Sequence, residues 1–195
     1  MNNINIGFAL CGSFCTFSEV IAEMKKLSDK GYNIFPIMSF NAYQTDTRFG
    51  KAEEHIRRIE EICGKKIIST IPDAEPIGPK KMLDILVIEP CTGNTLAKLA
   101  NGITDTPVTL AAKSHLRNNR PLLIAVSTND ALSGSAKNIG KLMNVKNIYF
   151  IPFSQDNPLG KPRSVIADFG KTEDAILHAI KNEQIQPIID SRFSL

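Results

Sequence analysis

Short apolar runs alternate along the chain with stretches whose apolar residues recur every three or four positions. The runs have the length and composition of β-strands, and the longer stretches have the period of amphipathic α-helices. The predicted strands span residues 4–11, 33–39, 65–70, 83–89, 121–127 and 147–153. The predicted helices span residues 17–30, 52–62, 92–100, 106–116, 136–143 and 172–182. Strands that alternate with helices in this way predict a parallel sheet.

The order of these elements predicts the fold class. We expect an α/β fold with a Rossmann-like, doubly wound parallel sheet in three α/β/α layers, forming a single domain over residues 1–195. The runs at 83–89 and 121–127 are almost continuously apolar, which is typical of strands buried on both faces. Segments 72–82 and 154–164 are rich in proline, glycine and polar residues and are predicted as loops.

Composition removes several classes of partner. The chain has 23 Lys and Arg against 20 Asp and Glu and no basic block, so we expect no nucleic-acid partner. No apolar run reaches the roughly 18 residues that cross a bilayer, and the N-terminus lacks the features of a signal peptide. We therefore expect a cytoplasmic protein with no membrane partner. The four cysteines (Cys11, Cys15, Cys63, Cys91) are scattered, which predicts neither a disulfide scaffold nor a metal site.

Small polar residues follow four of the predicted strands. They are Gly12, Ser13, Ser39, Asn41, Thr92, Gly93, Asn94, Thr95, Ser127, Thr128 and Asn129. In an open α/β sheet, ligands bind outside the carboxyl ends of the strands, and hydroxyl and helix N-terminal N–H groups suit phosphate. The glycines form neither GxGxxG nor a P-loop, which argues against NAD or ATP bound by the usual routes. For Thr92 and Asn94 the alternative is that they only cap a helix.

One segment carries a specific family resemblance. Residues 84–105, DILVIEPCTGNTLAKLANGITD, resemble the signature D-x-x-V-x-x-P-x-T-x-N-T-x-x-K-x-A-x-G-x-x-D of the FMN-binding flavoprotein family, which includes cysteine decarboxylases. Residues 7–20 resemble its first strand, loop and helix, and residues 126–130 resemble a later strand end. Further segments narrow the resemblance within that family: TDTRFG, AEPIGPKKMLD, KNIYFIPFSQDNPLGKP and IQPII.

The resemblance implies a cofactor, a reaction and partners. It implies FMN as cofactor, a homo-oligomer built from trimers, and the oxidation of a small dicarboxylate together with a separate partner subunit that carries NADP. The implied FMN contacts are Gly12, Ser13, Ser39, Thr92, Gly93, Asn94, Thr95, Ser127 and Thr128. Asn129 would lie near the reacting ring or the substrate.

The chain departs from the family pattern at two places. Decarboxylases of the family carry a histidine shortly before the aspartate that opens the signature, whereas residues 75–79 here are EPIGP. The usual P-x-M-N strand end is replaced by VSTN at residues 126–129. These departures argue against a cysteine decarboxylase. They leave two interpretations open, a non-catalytic partner that has lost flavin chemistry and an oxidoreductase subunit.

Few residues are candidates for direct chemistry on the substrate. The catalytic candidates are Asn129 and Cys15, although a cysteine at this position is also typical of a small buried residue. A dicarboxylate requires cations, and Arg48, Lys161 and Arg163 lie in polar segments near the expected site. The three histidines (His55, His115, His178) lie on predicted helices without a partner for acid–base work, and a solvated helix face is expected for His115.

Overall fold

The structure, a computed structural model, describes residues 4–190. Within this range the strands are β1 (Asn5–Leu10), β2 (Asn33–Met38), β3 (Ile85–Cys91), β4 (Leu122–Thr128), β5 (Ile148–Phe150), β6 (Phe153–Asn157) and β7 (Lys161–Ala167). The α-helices are α1 (Phe17–Asp29), α2 (Phe40–Gln44), α3 (Ala52–Cys63), α4 (Ile71–Ala74), α5 (Gly93–Ala100), α6 (Pro107–Leu116), α7 (Ala136–Met143) and α8 (Thr172–Ile180). None of these helices is long and apolar enough to span a membrane.

Five parallel strands form the centre of the sheet in the order β2-β1-β3-β4-β5. The chain leaves β1 toward one side to form β2 and then returns to form β3 on the other side. The order therefore reverses between β1 and β3, and a crevice opens at their carboxyl ends. The predicted doubly wound fold is confirmed, with a sheet that is mostly parallel.

Helices cover both faces of this sheet. On one side, α1 contacts α3, and α8 is linked to α1 through the short 3-10 helix Phe169–Lys171. On the other side, α6 contacts both α4 and α5, and α5 contacts α7. All seven residues of β3 are buried, as the continuous apolar run predicts for a strand covered on both faces. The largest fully buried side chains include Phe8, Phe17 and Phe150, which belong to one hydrophobic core.

The segment 154–164 is not the irregular loop that we expected. It forms most of an antiparallel hairpin of β6 and β7, in which Gly160 N donates to Asn157 Oδ1 at 2.8 Å across the turn. The hairpin pairs with the last two residues of β4, through Ser127 with Ile166 and Thr128 with Val165. Neither strand of the hairpin alternates buried and exposed side chains, because β6 is buried at its start and β7 is exposed over its first three residues, so the pattern by which a strand is recognised is absent.

Three smaller expectations about the strands and loops were wrong. The predicted strand at 65–70 reduces to one bridge, Ile68 with Ile37, because the chain turns into α4 directly afterwards. The predicted loop at 72–82 contains the end of α4 and a short 3-10 helix, Glu75–Ile77. The strand β3, predicted to end at residue 89, continues past Pro90 to Cys91. The Pro90 carbonyl accepts a hydrogen bond from Cys11 N at 3.2 Å, and the pairing of β3 with β4 shifts its register between Ile88 and Cys91.

A buried carboxyl lies near the end of β3. Glu89 is completely buried, and its Oε2 lies 2.8 Å from the Thr172 hydroxyl, while Oε1 has no partner among the described residues. Burial raises the pKa of Glu89 to about 8 from an ordinary 4.5, and the nearby Glu23 on α1 adds to this. The carboxyl is therefore mostly protonated at pH 7.

We expect Glu89 to make the fold less stable as the pH rises. Between pH 4.5 and about 8 the unfolded carboxyl is ionised while the folded one stays protonated, so stability falls through that window. The Glu89→Gln variant remains neutral and should lose this slope. Melting temperatures of both proteins at pH 6.5 and 8.5 measure the effect; parallel decreases would contradict it. His115 titrates below this pH window, because burial lowers its pKa to about 4.

Candidate functional site

Two adjoining cavities lie at the carboxyl ends of the strands. Cavity A, of about 360 Å³, lies where β1, β2 and β3 end, and Gly12, Ser39, Thr92, Asn94 and Thr95 are among its lining residues. Cavity B, of about 330 Å³, lies between the ends of β1 and β4 and the hairpin of β6 and β7. Both cavities are lined by Gly12 and Thr92, so they meet at the crevice between β1 and β3.

The N-terminus of α5 lies at cavity A. Thr92 is its N-cap residue, but the Thr92 side chain makes no capping hydrogen bond. The backbone N–H groups of residues 93–95 have no acceptor within residues 4–190, and the first bonded one is Leu96 N, which donates to Thr92 O at 2.9 Å. Free N–H groups and a positive dipole end favour an anion. Thr92 therefore occupies the N-cap position without capping α5 through its side chain, and its contact with a ligand stays a prediction.

Gly93 is required by a close packing contact. A Cβ atom at this position would lie 2.6 Å from Asp130 Oδ1, 2.7 Å from Ser135 Oγ and 2.9 Å from Thr128 Oγ1. The Asp130 carboxylate accepts hydrogen bonds from Thr128 at 2.6 Å and from Ser135 at 3.0 Å. The hydrogen-bonded Asp130 carboxylate therefore lies directly against Gly93, the first residue of α5. Gly93 allows this close approach, and it lines neither cavity.

The remaining walls of cavity A are polar with balanced charges. Ser39 caps α2 by accepting a hydrogen bond from Ala42 N at 3.3 Å, which leaves its own hydroxyl hydrogen free to donate. Lys98 reaches the cavity but is paired with Asp105 at 2.7 Å. Cys11 also borders the cavity, and burial raises its pKa to about 11, so it is a neutral thiol at pH 7.

Cavity B brings together the strand ends of β1 and β4. Ser13 Oγ and Ser127 Oγ form a hydrogen bond of 2.9 Å between them, and the Thr128 hydroxyl is directed to Asp130. Asn129 Oδ1 lies 3.4 Å from the Ser164 hydroxyl on the hairpin, and the Asn129 side-chain N–H groups have no partner among the described residues. Asn129 is thus a polar group available to a ligand in this cavity.

The outer part of cavity B carries the other predicted side chains. Cys15 is exposed and lines the cavity, so the expectation of a small buried residue is wrong at this position. Lys161 lines it too, paired with Asp156 at 2.9 Å across the hairpin. That hydrogen bond raises the pKa of Lys161 and keeps it charged. A carboxylate ligand would compete with Asp156 for this ammonium group.

The two predicted arginines lie outside both cavity linings. Arg48 lies with its guanidinium carbon 4.8 Å from the ring centroid of Phe49, and only Phe49 borders cavity B. Arg163 is exposed on β7, and its carbonyl accepts a hydrogen bond from Leu132 N. Sequence reasoning also missed Phe49 and Asp156. An aromatic residue beside Arg48 in a polar segment was the available signal for Phe49, whereas Asp156 became visible only with the hairpin.

The histidines lie away from both cavities. His115 is buried, not solvated as expected, and its Nε2 lies 2.9 Å from the Pro121 carbonyl. His55 packs edge-on against Phe17 with ring centroids 5.2 Å apart. His178 is partnered by the Asp174 carbonyl at 2.8 Å. All three therefore have packing or helix roles.

The chain matches a known protein family over almost its whole length. A family model described as Flavoprotein matches residues 1–190. The chain belongs to the Flavoprotein family. The order 2-1-3-4-5 of its parallel strands and the crevice between β1 and β3 agree with this membership, because sheets of that order bind their ligands at that crevice.

The chain is similar to two B-subunits of dipicolinate synthase and shares its fold with a third protein. It is 46% identical to the B-subunit of dipicolinate synthase of Bacillus subtilis (strain 168) over 94% of this chain and 92% of that protein. It is similar to the crystal structure of the dipicolinate synthase B-subunit from Bacillus halodurans, with a TM-score of 0.90, 43% identity and coverage of 99% and 100% of the two chains. The fold is shared with DmrB of Burkholderia xenovorans, solved in complex with FMN, with a TM-score of 0.67, 17% identity and coverage of 92% and 97%.

The contact between Gly93 and Asp130 can be tested by substitution. Gly93→Ala forces a Cβ atom against oxygens 2.6 to 2.9 Å away, so we expect a loss of about 1–3 kcal/mol of unfolding free energy. The matched control is Gly140→Ala in α7, where no atom lies within 4 Å and alanine should stabilise the helix slightly. Urea denaturation measures both. Equal stability of the Gly93→Ala variant and the parent would contradict the packing.

Proposed function

We propose that this chain acts as the B-subunit of a dipicolinate synthase and helps to oxidise a dihydrodipicolinate-type precursor to dipicolinic acid. The near full-length similarity to the Bacillus subtilis protein carries this proposal. Aromatisation of the dihydropyridine removes two electrons and two protons from the ring. The proposed partner is a separate A-subunit, which holds NADP, and the proposed setting is the mother-cell cytoplasm of a sporulating bacterium.

We propose FMN as the ligand of the two cavities. Cavity A suits the phosphate, because it offers the Ser39 hydroxyl and three backbone N–H groups of α5 that have no acceptor within residues 4–190. The Thr92 and Thr95 hydroxyls donate to Thr95 and to Cys11 in this structure and would turn to the phosphate on binding. Cavity B suits the ring, with Ser13, Ser127 and Thr128 beside it. Each cavity lies within the roughly 300–1,000 Å³ of typical ligand sites. Bound FMN would supply a two-electron acceptor, while this chain binds it and orients the substrate.

The outer part of cavity B is the proposed substrate side. Lys161 is the one of the three predicted cations that lines the cavity, and its ammonium group would bind a substrate carboxylate in place of Asp156. Asn129 would hydrogen-bond the substrate or the flavin ring through its free side-chain N–H groups. Cys15 lies beside Ser13, with 3.9 Å between Sγ and Oγ, and would contact the substrate.

A second candidate function is a non-catalytic partner of the A-subunit that binds a ligand or supports the assembly. It is favoured by the lining of the cavities, which among the described residues includes no histidine. The titratable side chains around cavity B are Cys15, Asp156 and Lys161, and the last two neutralise each other. For either function we propose a homo-oligomer, a trimer or an assembly of trimers.

The flavin proposal is tested by titration of the purified chain with FMN. We expect quenching of flavin fluorescence on binding and at least a tenfold weaker affinity for Thr92→Val, which loses one hydroxyl bond to a charged phosphate. Thr104→Val is the control, because Thr104 lines neither cavity. A chain that leaves FMN fluorescence unchanged, or a Thr92→Val variant with the parent's affinity, would contradict the proposed site.

The substrate proposal is tested by reconstitution with the A-subunit, NADP and dihydrodipicolinate, with and without FMN. Lys161→Gln should raise KM for the precursor about tenfold or more through loss of a charged hydrogen bond, with a smaller effect on kcat. Lys141→Gln on α7, an exposed lysine outside both cavities, is the matched control. Full activity of the partner in the absence of this chain would favour the non-catalytic function, and an unchanged KM would remove Lys161 from the substrate site.

A further inference from the structure

Four exposed residues line cavity B, and three of them, besides Asn129, come from separate parts of the chain and form its mouth. Cys15 follows β1, Phe49 lies between α2 and α3, and Lys161 lies at the start of β7. The residues deeper in the same cavity are less exposed, and Ser164 and Val165 are the least exposed at 3% each. Phe49 is the apolar member at the mouth, and 45% of its surface is exposed. An aromatic ring and a cation that line the same cavity are suited to a flat anionic ligand.

Phe49 lies on a tightly bonded turn. Thr47 and Gly50 exchange backbone hydrogen bonds of 3.1 Å in both directions, and Phe49 N donates to Thr47 Oγ1 at 3.1 Å. Gly50 has a φ of 138°, and a Cβ there would lie 2.7 Å from His55 Nε2. The turn is therefore packed onto α3, which fixes the backbone of Phe49 and lowers the entropic cost of ordering this segment on binding.

One side of the Phe49 ring is covered within the chain. The Arg48 guanidinium lies over it at 4.8 Å from the ring centroid. Because Phe49 lines cavity B and Arg48 does not, the guanidinium covers a part of the ring turned away from the cavity. The rest of the ring is left for a ligand. Flat rings pair favourably with an aromatic side chain, by about 0.5–1.5 kcal/mol beyond the area they bury.

We propose that Phe49 is a specificity-determining residue that packs against the planar ring of a carboxylate-bearing heterocycle, whose carboxylate is bound by Lys161. This inference rests on the proposed function for the placement of the substrate at the mouth of cavity B. With Phe49, the site would select its ligand by shape as well as by charge. Lys161 selects carboxylates in general, whereas Phe49 selects flat rings among them.

The test compares two dicarboxylates of equal charge. Pyridine-2,6-dicarboxylate is planar, and glutarate is flexible with the same number of atoms between its carboxylates. Binding of each to the whole chain is measured by calorimetry, with and without FMN. We expect Phe49→Leu to weaken pyridine-2,6-dicarboxylate about three- to tenfold and to leave glutarate within about twofold. Phe49→Tyr keeps the ring and should bind both acids as the parent does.

The control substitution is Tyr149→Leu on β5, an aromatic residue outside both cavities. Thermal melts establish that each variant is folded. Equal weakening of both acids by Phe49→Leu, no weakening of either, or failure of the parent chain to bind pyridine-2,6-dicarboxylate would each overturn the inference. Flavin fluorescence in the same samples shows whether FMN is bound, so that failure of the Phe49 inference can be distinguished from failure of the FMN proposal. A chain that binds no FMN yet discriminates the two acids through Phe49 would refute the flavin site and support the inference.

Discussion

The close contact between the start of α5 and the loop after β4 determines how the candidate site is built. The Asp130 carboxylate is bound by two hydroxyls and lies where a side chain on residue 93 would have to be. Gly93 therefore lets the helix begin directly against the end of β4. As a result the first N–H groups of α5 lie between the two cavities, with Thr92 bordering both. The anion-binding end of the helix is thus positioned by a packing requirement.

Sequence reasoning predicted the elements whose cause is local. Continuous apolar runs identified β3 and β4, and the small polar residues after the strands identified Thr92, Ser39 and Ser127 as neighbours, since parallel strands end at one edge. The family signature identified the flavoprotein fold. The strand and strand-end predictions depend on periodicity and on the topology of parallel sheets, whereas the family came from resemblance alone.

The parts that were missed depend on contacts between distant residues. The hairpin of β6 and β7 is stabilised by pairing with Ser127 and Thr128, and its own residues are too polar to predict a strand. The burial of His115 follows from its bond to the Pro121 carbonyl, which its helical position does not reveal. Likewise, Arg163 lies in the expected segment but outside the cavity lining, which includes Lys161 and Ser164. Strand alternation does not reveal this, because it places Arg163 on the same face as Lys161.

The hairpin of β6 and β7 has two roles at once. It covers the carboxyl end of one edge of β4, whose earlier residues are covered by β5, and it carries Lys161 and Asp156 at the cavity. An uncovered strand edge is a template for pairing with other chains. A ligand that binds the hairpin adds its binding free energy to the docked form, because the undocked form lacks the site. Occupancy of the cavity and protection against aggregation at this edge are therefore linked, and the concentration of a small molecule would help to determine how well the sheet is shielded.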